Sequence, residues 1–192
     1  MAESSRSSSD LAGLLLDPAE AERLDAHGST EAAVLVPMHG WPENPGLVFT
    51  ERRSDLKRHA GEISFPGGRR DRDESLLETA LREAEEEIGL SRERVEVAGA
   101  LPPIGTFVTN YKVHPFVGLI DQGRRFEPNP SEVESVLVAS LDDLQAAYAK
   151  RRLVRRGVPI KTDTYLIGDK LIWGATARIL GDLFARLGRQ LR

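Results

Sequence analysis

The chain has 192 residues, of which 40% are hydrophobic and 29% are charged, a balance typical of a soluble globular protein with one core. Its formal net charge of −4 argues against a protein built to bind nucleic acid or an anionic membrane surface. Cysteine is absent, which excludes disulfides, thiolate metal sites and cysteine nucleophiles and favours a cytoplasmic location.

The predicted elements mix strands with about three helices. A polar, Ser-rich tail at 1–9 precedes helical segments at 11–24, the second opened by Pro18. Strands are predicted at 32–36, 47–50 and 62–65, around a Pro- and Gly-rich loop at 37–46 and a basic loop at 52–61. An acidic helix at 75–88 is followed by strands at 95–101, 113–120 and 133–138, a hairpin at 165–173 and a closing helix at 175–187. No apolar run approaches the roughly 20 residues needed to span a bilayer.

This order of elements predicts an α+β fold with a mixed sheet. We divide the chain into an N-terminal tail and helical segment at 1–30 and a single domain at 31–188. No internal repeat and no linker interrupts that domain.

The acidic helix carries clear start and stop signals. Ser75 followed by Glu78 predicts a capping box, and Gly89 is a natural left-handed stop. Apolar residues recur at helical spacing and predict the face that packs on a sheet. These residues are Leu77, Ala80, Leu81, Ala84 and Ile88.

Glu83, Glu86 and Glu87 lie off that stripe at i, i+3 and i+4, so one face of the helix presents three carboxylates. Clustered like charges cost stability unless a cation offsets them, and hard carboxylate oxygens suit Mg²⁺ or Mn²⁺. A solvated acidic face is the usual explanation for a Glu-rich helix. It leaves unexplained why Gly68 and Gly89 bracket these carboxylates, so we predict a metal site.

In a fixed frame this segment resembles the Nudix box, the signature of the Nudix hydrolases. The matching positions are Gly68, Glu74 and the run from Arg82 to Leu90, Arg-Glu-Ala-Glu-Glu-Glu-Ile-Gly-Leu. The resemblance implies a Nudix-like α/β/α sandwich in which the box forms a loop-helix-loop. It also implies metal-dependent hydrolysis of a nucleoside diphosphate linked to another moiety.

The same resemblance implies roles for individual residues. Glu83, Glu86 and Glu87 would bind the metal and act in catalysis, and the Gly68 carbonyl would add a metal ligand. Arg82 would join the catalytic set, with Glu74 in support. The general base is left open among the three glutamates and a downstream acid, for which Glu132 and Glu134 are candidates.

The segment from Leu47 to Gly68 resembles the upstream signature of the coenzyme A pyrophosphatases within the Nudix group. The positions that match in register are Thr50, Arg52, Gly61, Phe65, Pro66, Gly67 and Gly68. Arg53 and Lys57 depart from the signature, which usually has Ser or Ala and Arg there; lysine keeps the charge but loses the planar fork. The substrate-binding residues implied are Arg52, Arg53, Lys57, Arg58, Gly61, Phe65 and Gly67. A basic loop beside a metal site can hold the phosphates of coenzyme A.

Further segments, 113–118 and 172–177, also resemble this subfamily. Pro115 within a strand predicts an edge or a bulge, and Trp173 is interpreted as a core anchor at a helix start. The basic run at 150–156, with Lys161, is interpreted as a solvated hairpin or loop because it contains no interleaved aromatic residues. The four histidines, at 27, 39, 59 and 114, show no metal-site spacing.

The sequence thus predicts a cytoplasmic, metal-dependent pyrophosphohydrolase for coenzyme A or its thioesters. Its partner would be this small molecule, not nucleic acid or a membrane, and a homodimer is left open. One alternative is a Nudix enzyme for ADP-ribose or a nucleoside triphosphate. Another is a non-catalytic Nudix module that senses a nucleotide, although such modules tend to lose box carboxylates and all are present here.

Overall fold

The computed structural model describes residues 8–55, 61–106, 109–155 and 157–191. Its helices are α1 (Ser8–Ala12), α2 (Pro18–Arg23), α3 (Leu76–Ile88), α4 (Leu141–Ala147) and α5 (Gly174–Arg186), with a short 3-10 helix at Arg92–Arg94. Its strands are β1 (Thr30–His39), β2 (Gly46–Arg52), β3 (Ile63–Ser64), β4 (Gly67–Arg69), β5 (Glu96–Ala100), β6 (Ile104–Gly105), β7 (Tyr111–Ile120), β8 (Val133–Ser140), β9 (Tyr148–Arg155), β10 (Val158–Ile167) and β11 (Lys170–Ile172).

A mixed sheet forms the centre of the fold. Strands β3, β2, β1, β7 and β5 follow one another across it, with β4 paired to β1, β6 to β7 and β8 to β2. The β1–β7 pair is parallel along all of β1, and the other pairs are antiparallel. The predicted mixed sheet is confirmed.

Helices cover both faces of this sheet. Helix α3 packs on one face, where its small residues Ala80 and Ala84 meet Leu35 and Phe116 in one buried cluster. Helix α5 lies on the other face, where Leu180 and other side chains join Phe49, Phe65 and Tyr165 in a second cluster. The α/β/α sandwich is confirmed, and each face buries its own apolar core.

A second, three-stranded antiparallel sheet lies on the α5 side. It has the order β11, β10, β9, and the predicted hairpin at 165–173 is its β10–β11 turn. Residues 150–155 of the basic run lie in β9, which pairs with β10 from Tyr148 to Arg155; Arg156 lies outside the described residues. One cross-strand pair in it, Lys150 opposite Asp163, carries opposite charges, which favours antiparallel pairing. Helix α4 was not predicted.

Strand β1 is longer than predicted, because Pro37 lies inside it and not in the following loop. Leu35 donates its N–H to the Pro66 carbonyl, and since strand N–H groups alternate in direction, the Pro37 nitrogen faces the same side. On that side the ladder with β4 ends at Val34 and the ladder with β2 begins at Met38. Pro37 therefore occupies a gap in which no ladder donor is required.

Pro115 lies at a comparable irregularity on β7. Strand β7 pairs with β5 as far as Phe116 and with β6 at Val113. Pro115 lies between these two pairings, where β5 has ended and β6 has not begun. Trp173 is the N-cap residue of α5 and is partly buried. None of the described helices is long and apolar enough to cross a membrane.

The N-terminal segment packs on the domain. Leu11 is fully buried in the α5-side core, and Leu16 forms an isolated β-bridge with Ala100. Glu22 on α2 accepts a hydrogen bond from the backbone N–H of Leu77, in the first turn of α3, at 3.0 Å. Residues 8–24 are thus in contact with both faces of the sandwich.

Candidate metal centre

Helix α3 is set by local sequence signals at both ends. The Ser75 hydroxyl accepts from the Glu78 N–H and the Glu78 carboxylate accepts from the Ser75 N–H, so the predicted capping box is present. Gly89 ends the helix in the left-handed conformation, at φ 67°. Leu76, which the predicted stripe omits, is buried on the packed face.

The three box carboxylates differ in their surroundings. Glu87 is buried, with 7% of its surface exposed. The Glu83 side chain is 17% exposed and that of Glu86 is 57% exposed. The exposure of the three carboxylates therefore increases from Glu87 in the protein interior to Glu86 at the surface.

Strand β4 approaches this helix at Gly68. A Cβ atom there would lie 2.3 Å from Glu83 Oε1, and one at Gly67 would lie 2.3 Å from the Ala33 carbonyl oxygen. Such contacts are far inside van der Waals distance, so a side chain at Gly67 would clash with the β1 backbone and one at Gly68 would displace the Glu83 carboxylate. Gly67 thus lets β4 come close to β1, and Gly68 lets it come close to the helix.

Arg82 links the carboxylates to one another. Its Nε donates to Glu74 Oε1 at 2.6 Å, and its Nη1 lies 3.0 Å from both Glu83 Oε1 and Glu86 Oε2. The Arg82 guanidinium lowers the pKa of Glu74. Arg82 is thus paired with Glu74, and its guanidinium also holds Glu83 and Glu86, two of the three box carboxylates.

The buried carboxylates resist ionisation. Burial raises the pKa of Glu87 to about 8, and the charges of Glu83 and Glu132 add to this effect. Burial also raises the pKa of Glu83, against the opposing charge of Arg82. A divalent cation would favour the charged forms of both groups.

The fit of these residues to a divalent cation rests on two observations. Glu87 Oε2 is buried and has no hydrogen-bond partner among the described residues, and a buried acceptor of this kind is costly unless something satisfies it. Gly68 brings a backbone against the Glu83 carboxylate. Within the described ranges no three acidic or histidine side chains already form a metal cluster, and Arg82 contacts both Glu83 and Glu86. The donor set nevertheless consists of the hard oxygens that Mg²⁺ and Mn²⁺ prefer.

Arg52 joins the site from β2, at a register shift between Glu51 and Arg52 in the pairing with β8. Such irregularities redirect a side chain. Its Nη1 lies 3.7 Å from Glu132 Oε2, and Arg52 acts electrostatically on Glu87. The structure thus brings Arg52 to the carboxylates, together with Glu132.

Glu132 and Glu134 lie near different charged groups. Glu132 precedes β8, and its charge acts on both Glu83 and Glu87. Glu134 instead acts on Arg53 and Lys170. The sequence offered two acids with no means of choosing between them, because the choice depends on how the preceding loop folds back onto α3.

Two residues predicted to bind substrate have structural roles instead. Phe65 is 1% exposed and its ring stacks on Phe49 with centroids 4.7 Å apart, so the side chain belongs to the core. Arg53 donates from Nε and Nη2 to Asp55 and from Nη1 to the Pro130 carbonyl, so its guanidinium is engaged in the neighbouring loop. Both lie next to the site in sequence, but their side chains are directed elsewhere.

Gly61 lies at an exposed turn with φ 68°, and its N–H donates to the Arg52 carbonyl at 3.0 Å. This bond closes the loop that follows Arg52. Lys57, Arg58 and His59, the other basic residues assigned to that loop, lie outside the described residues. Of the other histidines, His114 is buried and is not next to the carboxylates that surround Arg82.

On the opposite face of β2, Glu51 forms a tight contact with the second sheet. Lys170 Nζ donates to Glu51 Oε1 and the Ser135 hydroxyl donates to Glu51 Oε2, both at 2.7 Å. Lys170 lowers the pKa of Glu51. No local sequence signal predicts this network, because Lys170 and Ser135 lie 119 and 84 positions from Glu51.

The family model of the NUDIX domain matches residues 31–157. A protein from Pectobacterium atrosepticum named uncharacterized Nudix hydrolase NudL is 40% identical over 163 residues, covering 82% of each chain. Its namesake from Cronobacter sakazakii is 37% identical over 163 residues, covering 83% of this chain and 84% of the relative.

Solved structures with the same fold are more distant in sequence. A MutT/nudix family protein from Enterococcus faecalis superposes with a TM-score of 0.59 at 15% identity, covering 85% of this chain and 64% of the other. The Nudix hydrolase RenU from M. smegmatis superposes with a TM-score of 0.52 at 18% identity, covering 64% and 83%. The match to the family model and the identity to the NudL proteins show that the chain belongs to the Nudix family, as a hydrolase acting on the pyrophosphate bonds of nucleoside diphosphate derivatives.

Proposed function

We propose that this hydrolase cleaves the pyrophosphate of coenzyme A or acyl-coenzyme A. The products would be 4′-phosphopantetheine, or its acyl form, and adenosine 3′,5′-bisphosphate. The observation that carries the proposal is the segment from Leu47 to Gly68, whose resemblance to coenzyme A pyrophosphatases includes Arg52, the residue found beside the box carboxylates. We place this reaction in the cytoplasm.

Mg²⁺ or Mn²⁺ would be held by Glu83, Glu86 and Glu87, with the carbonyl of Gly68 as a further ligand. When bound, the metal neutralises pyrophosphate oxygens and makes a coordinated water a better nucleophile. Arg82 keeps Glu83 and Glu86 oriented, with contacts of 3.0 Å to each. Glu87 would be the most deeply buried of these ligands, with 7% of its surface exposed.

Arg52 would bind a phosphate of the substrate. Its guanidinium is partly exposed, with 37% of the side-chain surface accessible, and it carries a planar fork suited to phosphate oxygens. Lys57 and Arg58 would add positive charge from the same loop. Gly61 and Gly67 would act through the backbone, the first by closing the loop and the second by the close approach of β4 to β1.

The proposal is tested by a product panel with Mg²⁺ or Mn²⁺. Coenzyme A, acetyl-coenzyme A, ADP-ribose and nucleoside triphosphates are incubated with the protein, and products are identified by chromatography and mass spectrometry. We expect adenosine 3′,5′-bisphosphate from coenzyme A, and no product with Glu86→Gln. Cleavage of ADP-ribose without cleavage of coenzyme A would refute the substrate. Tight binding of one nucleotide with no cleavage of any would identify a sensor.

A further inference from the structure

The ion pair between Arg52 and Glu132 is loose. The two groups are 3.7 Å apart, beyond hydrogen-bond distance, and the side chains are 37% and 48% exposed. The Nε of Arg52 is buried without a hydrogen-bond partner among the described residues. Glu132 therefore neutralises Arg52 without satisfying its donors, and the pair is held by charge alone.

The adjacent residue on β2 shows the contrast. Glu51 is hydrogen-bonded to Lys170 and to Ser135, each at 2.7 Å, and its side chain is only 14% exposed. Both oxygens of Glu51 therefore accept a hydrogen bond. Of these two neighbouring ionic contacts, the Arg52–Glu132 pair is the one without a hydrogen bond between its charged groups.

The backbone of Glu132 is nevertheless fixed beside the centre. The Asn129 N–H donates to the Glu87 carbonyl at 2.8 Å, which ties the loop to α3, and the Glu132 N–H donates to the Asn129 carbonyl at 3.1 Å. The Arg53 N–H donates to the Glu132 carbonyl at 3.0 Å, which ties it to β2. The Glu132 carboxylate thus extends from a backbone position that hydrogen bonds fix relative to both β2 and α3.

We propose that the Glu132 carboxylate exchanges partners when the metal binds. It moves away from Arg52 and toward the cation, and the Arg52 guanidinium is then free to bind a substrate phosphate. The role of Arg52 in this inference rests on the proposed function. Glu132 is a positioning residue in it, since it controls when Arg52 is available.

The sign of the local charge drives the exchange. Without a cation, Arg52 is the cationic partner of Glu132, at 3.7 Å, and the box carboxylates offer the Glu132 carboxylate no favourable charge. A bound divalent cation supplies a positive charge there and attracts this carboxylate. Metal loading and anion binding at Arg52 are therefore coupled, and the coupling is reciprocal.

The first experiment measures binding of inorganic pyrophosphate by calorimetry in EDTA. We expect Glu132→Gln to bind pyrophosphate about 5-fold or more tightly than the wild type, at the low end of typical coupling between sites, because Arg52 is already released. The gain should vanish in the double variant Arg52→Met with Glu132→Gln. Glu134→Gln removes an equal charge nearby and is the matched control, with affinity close to the wild type.

The second experiment measures Mn²⁺ binding without substrate, by calorimetry or by the electron paramagnetic resonance of free Mn²⁺. Glu132→Gln should weaken Mn²⁺ binding several-fold, and Glu134→Gln should not. The inference is overturned by a pyrophosphate gain that persists in the Arg52→Met background, by equal gains in both glutamine variants, or by unchanged Mn²⁺ affinity.

Neither measurement uses coenzyme A or turnover. Failure of the substrate panel would therefore leave this inference to be decided separately, and failure here would leave the substrate assignment intact. Circular dichroism and thermal melting confirm that each variant is folded. Glu132→Ala, at the same half-exposed position, repeats both measurements with a second side chain.

Discussion

Gly68 and Glu83 are in such close contact that no side chain fits between them: a Cβ atom on Gly68 would lie 2.3 Å from Glu83 Oε1 and 2.4 Å from its carboxyl carbon. The contact joins β4 to α3 at the centre of the carboxylate group. It makes the position of the Glu83 carboxylate depend on the absence of a side chain at Gly68.

Gly68→Ala should therefore displace Glu83 and lower kcat by about 10²-fold, the loss that a misplacement of about 1 Å can cause. Steady-state hydrolysis of the substrate found in the panel measures this. The control is Gly181→Ala in α5, where a Cβ would meet nothing within 4 Å. That change should leave turnover intact and stabilise the fold by about 0.5–1 kcal/mol. Wild-type turnover in Gly68→Ala would contradict the assigned geometry.

Glu86→Gln and Glu87→Gln should each abolish turnover while the fold survives. The amide keeps the shape of the side chain but removes the charge that holds a divalent cation. Turnover with Mg²⁺ or Mn²⁺ is compared with melting temperature and far-ultraviolet circular dichroism. Glu85→Gln, at an exposed position of the same helix, is the matched control and should behave as wild type. A near-normal rate in either site variant would remove the assignment.

Local sequence patterns predict some helices of this fold and not others. Helix α3 was predicted nearly to the residue, because Ser75, Glu78 and Gly89 fix its ends through contacts within the same segment. Helix α4 was missed because it is seven residues long and buries only Leu141 and Leu144. Its position depends on packing between β8 and β9, which no short stretch of sequence encodes.

The residues of the candidate site also divide into those that local sequence signals predict and those that depend on tertiary packing. The carboxylates of α3 follow from helical spacing and from the Nudix frame, and the structure groups them around Arg82. The motif predicts a substrate contact for Phe65 but carries no side-chain direction, and the structure places its ring in the core against Phe49. Glu132 could not be chosen from sequence, because hydrogen bonds from a distant loop to α3 and β2 bring it to the site.

The raised pKa of Glu87 predicts a pH dependence of stability in EDTA. Its pKa is about 8 in the folded protein against 4.5 for an ordinary glutamate, so the folded state binds the proton more tightly. This residue's contribution to the free energy of unfolding therefore falls as the pH rises from about 4.5 to about 8. Urea denaturation of wild type and Glu87→Gln at pH 5 and pH 8 measures it.

The wild type should lose more stability than Glu87→Gln between these pH values, and saturating Mn²⁺ should restore part of the loss because the cation binds the charged folded form. Equal pH slopes in the two proteins would show that Glu87 ionises normally. Glu85→Gln again serves as the control for a lost surface charge.

His114 should act in the opposite direction at lower pH. It is 1% exposed, and burial lowers its pKa below 6.5, with Glu31, Lys112 and Glu22 as the charged groups around it. Below about pH 6.5, His114 therefore binds a proton in the unfolded chain more readily than in the folded chain. The stability from this residue is complete above pH 6.5 and is lost as the pH falls. Denaturation of His114→Leu at pH 5 and pH 7 should show a flatter dependence than wild type, and an unchanged slope would contradict this.

The hydrogen bond from Leu77 to Glu22 has a consequence for how the protein can be divided. The family match begins at residue 31, but α3 takes one of its first-turn acceptors from α2, at 3.0 Å, and the core on the other face includes Leu11. A fragment cut at the start of the family match would leave a helix donor without its acceptor and an apolar surface without its cover. The segment before residue 31 therefore supports the helix that carries the box carboxylates, and its removal would destabilise the protein.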